Sequence, residues 1–248
     1  MKRALLAVLF CAGCYAAAQS PTPLPQWKPI QKVDACPRVG VYSQPCYFAN
    51  PVMSGDLIVV AGVGGGEGSV FDNLGNRLIL ALAIQQYNGI SLWYETAPMG
   101  FTNVTFAPGT NWWDSMLEYP PSTGLDDAAY ANYVDAGVNA KGQEIQDNSG
   151  WAGVHRKPGD YTLSPVETHE SCELLISWAL IGQGTPVAGQ NFTIRTYNPF
   201  GAAVNGQGLV VEDSTTTIPD YQQASVRWRY ANSWDMGLAA FKMKGCHQ

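Results

Sequence analysis

Short runs of strand character, separated at close intervals by glycine and proline, run through most of this 248-residue chain. They fall near Ile30–Ala35, Cys46–Pro51, Asp56–Val63, Arg77–Gln85, Ile90–Glu95 and Thr102–Ala107. They continue near Trp113–Tyr119, Cys172–Ile181, Phe192–Tyr197, Gly208–Ser214, Ala224–Tyr230 and Met236–Met243. No window carries a helical stripe of the length a globular helix needs. In "ASVRWRYA", Ala224, Val226, Trp228 and Tyr230 share one face, with Ser225, Arg227 and Arg229 on the other, so the apolar face belongs in a sandwich core. "CELLISWALI" does not alternate and reads as a mid-sheet strand covered on both faces. Twelve such strands in one domain predict an all-β chain: two packed antiparallel sheets in a β-sandwich, a jelly roll or a close relative.

The ends of the chain set its compartment. "MKRALLAVLFCAGCYAAAQS" has a positive start at Lys2 and Arg3, an apolar stretch from Ala4 to Gly13, and a small-residue cut after Ala18. Residues 1–18 read as a secretory signal peptide, too short for a spanning helix. Ala12-Gly13-Cys14 resembles the end of a lipobox, which leaves a lipid anchor at Cys14 as the alternative processing. Residues 19–35 read as a proline-rich spacer and a first strand, and 36–248 as one domain. Without the signal the 14 basic residues become 12, against 20 acidic ones. That balance, with no Lys/Arg cluster, excludes nucleic acid as a partner. The expected location is secreted, periplasmic or in the cell envelope.

Four cysteines survive processing: Cys36, Cys46, Cys172 and Cys246. An even count in an exported chain implies disulfides, with three pairings open. Cys36–Cys46 would close a short hairpin and Cys172–Cys246 would tie down the last strand, which favours that pairing. Their spacing fits no zinc site.

The glycine-rich stretch "VVAGVGGGEGSVFDNLGNRL", Val59 to Leu78, invites a nucleotide reading and then refuses it. Glu67 stands where a dinucleotide fingerprint needs its third glycine, and no Gly-Lys-Ser/Thr follows. Asp72 to Asn76 instead has the composition of a hairpin turn.

Nine segments occur in an order that resembles a known module. They are "SGDLIVVAGVGGG", "VFDNLGNRL", "SLWYETAP", "TNVTFAP", "MLEYP", "CELLISWA", "NFTIR", "GLVVEDSTTT" and "WDMGLAAFK". Together, over about Ser54 to Lys242, they resemble a sandwich module of secreted, largely uncharacterised bacterial proteins that is frequent in acidobacteria. The resemblance implies a concanavalin-like or jelly-roll sandwich on an exported protein and no catalytic set. The chain departs from that module at Pro120-Pro121, at its cysteines, and in a long polar excursion at about 125–161.

Aromatic residues gather in and around that excursion: Trp112, Trp113, Tyr119, Tyr130, Tyr133 and Trp151. Flat rings stack on sugar faces, although Trp113 and Tyr119 share a strand face and read as core. Trp112, Tyr130, Tyr133 and Trp151 are therefore the candidate ligand platform, with Asp126, Asp127 and Asp135 as hydroxyl acceptors. No catalytic residue and no metal ligand is assigned. "ETHESCE" places Glu167, His169, Glu170 and Glu173 at spacings that match no zinc motif. Structural calcium on Asp126-Asp127 or Asp72-Asn73 is the one cofactor the acidic loops could take.

These readings converge on an exported, non-enzymatic β-sandwich that binds at a surface, with glycan as the favoured ligand class. Paired carboxylates (Glu95 and Glu118, or Glu212-Asp213) keep a polysaccharide hydrolase or lyase as the alternative. A structural envelope module is the third reading.

Overall fold

The computed structural model describes residues 24–39, 42–63, 68–84, 89–97, 100–107, 113–132, 159–162, 166–181, 185–200, 207–228 and 235–246. Residues 1–18, expected to be a signal peptide, lie outside them. In chain order the strands are β1 (Gln31–Val33), β2 (Arg38–Val39), β3 (Tyr42–Ser43), β4 (Cys46–Tyr47), β5 (Asp56–Val63) and β6 (Val70–Asp72). Next come β7 (Ile79–Ile84), β8 (Ile90–Thr96), β9 (Asn103–Phe106), β10 (Trp113–Asn132), β11 (Gly159–Thr162) and β12 (Val166–Glu167). The last are β13 (Leu174–Ile181), β14 (Thr193–Pro199), β15 (Gly208–Thr215), β16 (Tyr221–Gln222), β17 (Ser225–Trp228) and β18 (Asp235–Met243). No described residue is helical.

One antiparallel ladder runs β14-β15-β13-β18-β10-β5-β8-β7, with β1 beside β10. It becomes a two-layer β-sandwich because β10 serves both layers. Trp113 to Tyr119 pair with β5, and Ser122 to Asn132 pair with β18. The passage between them contains Pro120-Pro121 and a register shift, and two more shifts follow by Asp127, the bends by which a strand turns a corner between sheets. Across the fold, Tyr94 of β8 meets Phe241 of β18 edge to face at 5.3 Å.

Burial on both faces follows from further layers. Leu57, Val59, Ala61 and Val63 of β5 join Leu174, Ile176, Trp178 and Leu180 of β13 in the central core. The opposite face of β5, Ile58 and Val60, packs under the β4-β9-β6 sheet on Val70, Phe101 and Val104. The opposite face of β13, Leu175, Ala179 and Ile181, packs under the β12–β16 and β11–β17 pairs. The unbroken apolar run of "CELLISWALI" is thus what a strand between two cores requires. Ala224 and Val226 are buried as their alternation predicts, but in this outer core rather than between the two main layers.

Two expectations need correction. The excursion at 125–161 begins as sheet: Leu125 to Asn132 belong to β10, and Gly159–Thr162 form β11. A register shift between Leu125 and Asp127 breaks the period of two, so the segment does not look like a strand in sequence. The proline-rich spacer also docks, through Trp27, whose N–H and indole Nε1 bond to Thr215 and Cys172. The turn at Asp72–Asn76 forms as expected. Asp72 Oδ1 accepts the N–H groups of Leu74 (2.9 Å) and Asn76 (2.7 Å), and Gly75 takes φ +92°.

Both favoured disulfides are present, Cys36–Cys46 and Cys172–Cys246, with Cα–Cα distances of 5.1 and 5.9 Å. They close loops of 10 and 74 residues. Loop-closure entropy puts the loss at about 3 kcal/mol for the Cys36→Ser, Cys46→Ser double variant and about 4 kcal/mol for Cys172→Ser, Cys246→Ser. Urea unfolding of the two double variants should therefore give the lower midpoint for the second.

Candidate functional site

A cleft of about 490 Å³ opens where the end of β15 outruns the start of β14. Three distant parts of the chain build it. The first is the segment before β1, whose Trp27 is pinned by both main-chain and side-chain bonds. Its Nε1 donates to the Cys172 carbonyl at 2.6 Å and its N–H to Thr215 Oγ1 at 3.0 Å. Further along, the Ile30 N–H donates to the Glu118 carbonyl of β10 at 2.7 Å. The segment therefore straps the first layer to the second and forms one wall of the cleft with Gln26.

The second part is the turn before β14 with the first residue of that strand, Gln190 to Thr193, where Asn191 takes φ +65°. Asparagine is among the few non-glycine residues that adopt that region readily. The β14–β15 register then skips one residue: Ile194 faces Glu212 and Thr196 faces Val211, leaving Arg195 as a bulge. A bulge re-aims a side chain. Arg195 Nε here reaches both oxygens of Asp213, at 2.7 and 2.8 Å. Asp213 also accepts from Tyr119 Oη at 2.9 Å, and it is almost completely buried. The third part is the polar run Ser214 to Thr217 with Gln222 and Gln223.

Of the residues expected to bind ligand, those that are described fall elsewhere. Trp112, Tyr133, Asp135 and Trp151 lie outside the described residues; Tyr130 occupies β10 opposite Gly237. Asp126 and Asp127 both have partners within the chain. Asp126 Oδ1 pairs with Lys242 Nζ and Oδ2 with His169 Nδ1, both at 2.8 Å. Burial opposes ionisation of Asp126, but the Lys242 and His169 bonds outweigh it and hold the carboxyl below its usual range. Asp127 accepts the N–H groups of Ala128 and Glu167. Both aspartates hold a loop to a strand, which is why they stand where a rim site was expected. Asp72, the other calcium candidate, has its oxygens engaged by its own turn, with Asn76 Nδ2 on Oδ2 at 2.8 Å. In "ETHESCE", Glu173 Oε1 accepts the N–H groups of His169 and Glu170. Trp113 and Tyr119 are core residues, as their shared strand face predicts; Trp113 stacks on Phe200 at 4.2 Å.

The paired carboxylates have an ordered arrangement, and of the four only Asp213 lines the cleft. Glu95 of β8 and Glu118 of β10 both lie opposite Ile58 of β5, so they share one face two strand spacings apart, roughly 10 Å. Burial, and then the charge of Asp72, pushes Glu95 up to about 7. Asp56, one step along the same face, is raised to about 6 by burial and by Glu118. Glu212 and Asp213, adjacent on β15, point to opposite faces. Burial raises Glu212 to about 8, with Gly189 N–H on its Oε2 at 3.0 Å. All of these side chains are buried.

No family model matches the chain, and neither a curated protein nor a solved structure shows significant similarity to it. What the cleft can bind therefore rests on its own chemistry. Two signals for the cleft were present in the sequence. Trp27 is a large aromatic inside an otherwise proline-rich spacer, and a spacer has no use for a buried indole. "STTT" and "QQ" are unbroken polar runs flanking a strand and a turn. What brings these segments together is long-range pairing, which local periodicity does not encode.

Proposed function

We propose that this protein is an exported, non-catalytic β-sandwich binding module that holds a glycan in the cleft between Trp27, Asn191 and Gln223. The observation that carries the proposal is the lining of that cleft: carboxamides and hydroxyls surround a half-buried indole, the mix that hydroxyl-rich ligands use. Its volume lies within the usual ~300–1,000 Å³ of small-ligand sites. Two disulfides and the signal-like N-terminus support export, and the resemblance to secreted sandwich modules agrees with it. The step from cleft to glycan rests on site chemistry, because a sandwich alone implies no activity.

A glycan array on the protein lacking residues 1–18, with Trp27→Ala and Gln223→Ala variants, tests this. Gln223 is exposed, so its truncation leaves the fold intact and is expected to weaken binding by up to about tenfold. Binding that both changes leave unaltered while Trp151→Ala abolishes it would move the ligand to the 125–161 region. No binding to any glycan would overturn the proposal.

The hydrolase alternative draws on Glu95 and Glu118, whose backbones stand two strand spacings apart on one sheet face, the scale on which an inverting pair is set. Reducing-sugar release from polysaccharides, lost in Glu95→Gln, is the result that would favour it.

A further inference from the structure

We infer that the cleft selects uncharged polysaccharide and rejects polyanionic chains. This inference rests on the glycan reading proposed above and names the ligand class of the same site. Its basis is the charge balance of the lining. Among the described residues the cleft contains one cation and one anion, Arg195 and Asp213, and they are bonded to each other. The Arg195 guanidinium is further fixed by Nη2 donating to the Trp27 carbonyl at 3.4 Å. The second Asp213 oxygen also takes the Tyr119 hydroxyl. The pair is therefore a structural element of the wall, and the surface it leaves is neutral.

What remains suits a polyol. Five carboxamides line the cleft: Gln26, Gln190, Asn191, Gln222 and Gln223. Gln222 Nε2 makes only long contacts, 3.4 and 3.5 Å, to the carbonyls of Asp220 and Ile218. Thr193 and Thr217 add exposed hydroxyls. Each carboxamide and each hydroxyl both donates and accepts, as each sugar hydroxyl does. A carboxylate or sulfate ester accepts only, so the acceptor side of these groups would go unmet against it. Polyanion sites are built instead on unpaired Arg or Lys, and the described residues of the lining include none. Long-range charge adds to the selection: without residues 1–18 the chain has 12 basic residues against 20 acidic ones, a formal balance of −8, which repels polyanions at neutral pH.

The test measures binding of the protein lacking residues 1–18 to soluble neutral polymers (dextran, xylan, a mixed-linkage glucan, mannan) and acidic ones (polygalacturonate, alginate). Affinity electrophoresis at low and high salt is the readout. The expected result is retardation by at least one neutral polymer, with an affinity that changes less than about twofold with salt. Gln190→Ala and Gln223→Ala should each weaken it, together by up to about a hundredfold if they act independently. Preferential binding to an acidic polymer, falling steeply with salt, would overturn the neutral selection while leaving the glycan reading in place. Retardation by neither class would remove both.

Discussion

Gly237→Ala is expected to be among the most destabilising single-methyl additions in this protein. Gly237 lies in β18, flanked by Trp178 of β13 and Tyr130 of β10. A Cβ placed there would fall 2.3 to 2.6 Å from three atoms of the Trp178 indole. That ring is fully buried in the central core, and β18 is hydrogen-bonded on both sides. Neither partner can withdraw without opening a ladder or displacing the core. Overpacking of a close-packed interior costs typically about 1–3 kcal/mol, and this contact should lie at or above the upper end. Urea unfolding would read it as a lowered midpoint. Trp178→Leu costs the wild type a cavity, yet it should recover part of the loss in the Gly237→Ala background. Strict additivity of the two changes would show that they do not share this contact.

The second large effect is on pH. Four carboxyl groups are held protonated well above their ordinary range, each raised chiefly by burial: Asp56 to about 6, Glu95 and Asp235 to about 7, and Glu212 to about 8. In the unfolded chain these groups ionise near pH ~4, so above that pH the unfolded state binds fewer protons than the folded one. Stability from these groups is therefore fully present in mild acid and is lost as pH climbs toward their folded values, with little further change above the highest of them. The loss between pH 5 and pH 8 should amount to several kcal/mol in sum, since a tenfold change in the acidity of one group corresponds to about 1.4 kcal/mol. His169 acts in the same direction: the Asp126 hydrogen bond raises its imidazole, and that contribution also disappears as pH rises through its folded value. Asp126 acts oppositely, because its depressed carboxyl contributes above the usual aspartate range and fails only as pH falls through its folded value.

Thermal unfolding over a pH series should accordingly give a Tm that is higher at pH 5 than at pH 8. Glu212→Gln isolates the largest part. A glutamine keeps the acceptor for Gly189 N–H and brings an N–H toward the hydroxyl of Ser177, which lies directly across the β13–β15 ladder. It should raise the Tm at pH 8, leave it nearly unchanged at pH 5, and flatten the slope. A Tm that climbs steadily from pH 5 to pH 8 in the wild type would show that these carboxyls are solvated.

Most strands were legible in advance because their signal is local. "DLIVVAGV" and "LLISWALI" are apolar over nearly the length of one strand, "GLVVEDST" opens on an apolar run, and each lies within a residue or two of its expected bounds. The turn at Asp72–Asn76 was legible for the same reason, since its hydrogen bonds close within five residues. β10 was only half legible. Trp113 to Tyr119 read as strand, but two prolines and three register shifts hid the continuation to Asn132.

By itself the sequence determined an all-β chain, its turns and its cysteine framework, because backbone preference, side-chain periodicity and thiol count are properties of neighbouring residues or of composition. Only the tertiary structure decided where a ligand could sit. The cleft joins Trp27 to Thr215 across 188 positions, and its neutrality depends on Arg195 meeting Asp213 through a bulge. Whether a carboxylate faces water or a core also depends on those long-range contacts. Asp126, expected at an open rim, is tied to Lys242 and His169, while burial pushes Glu212 up to about 8.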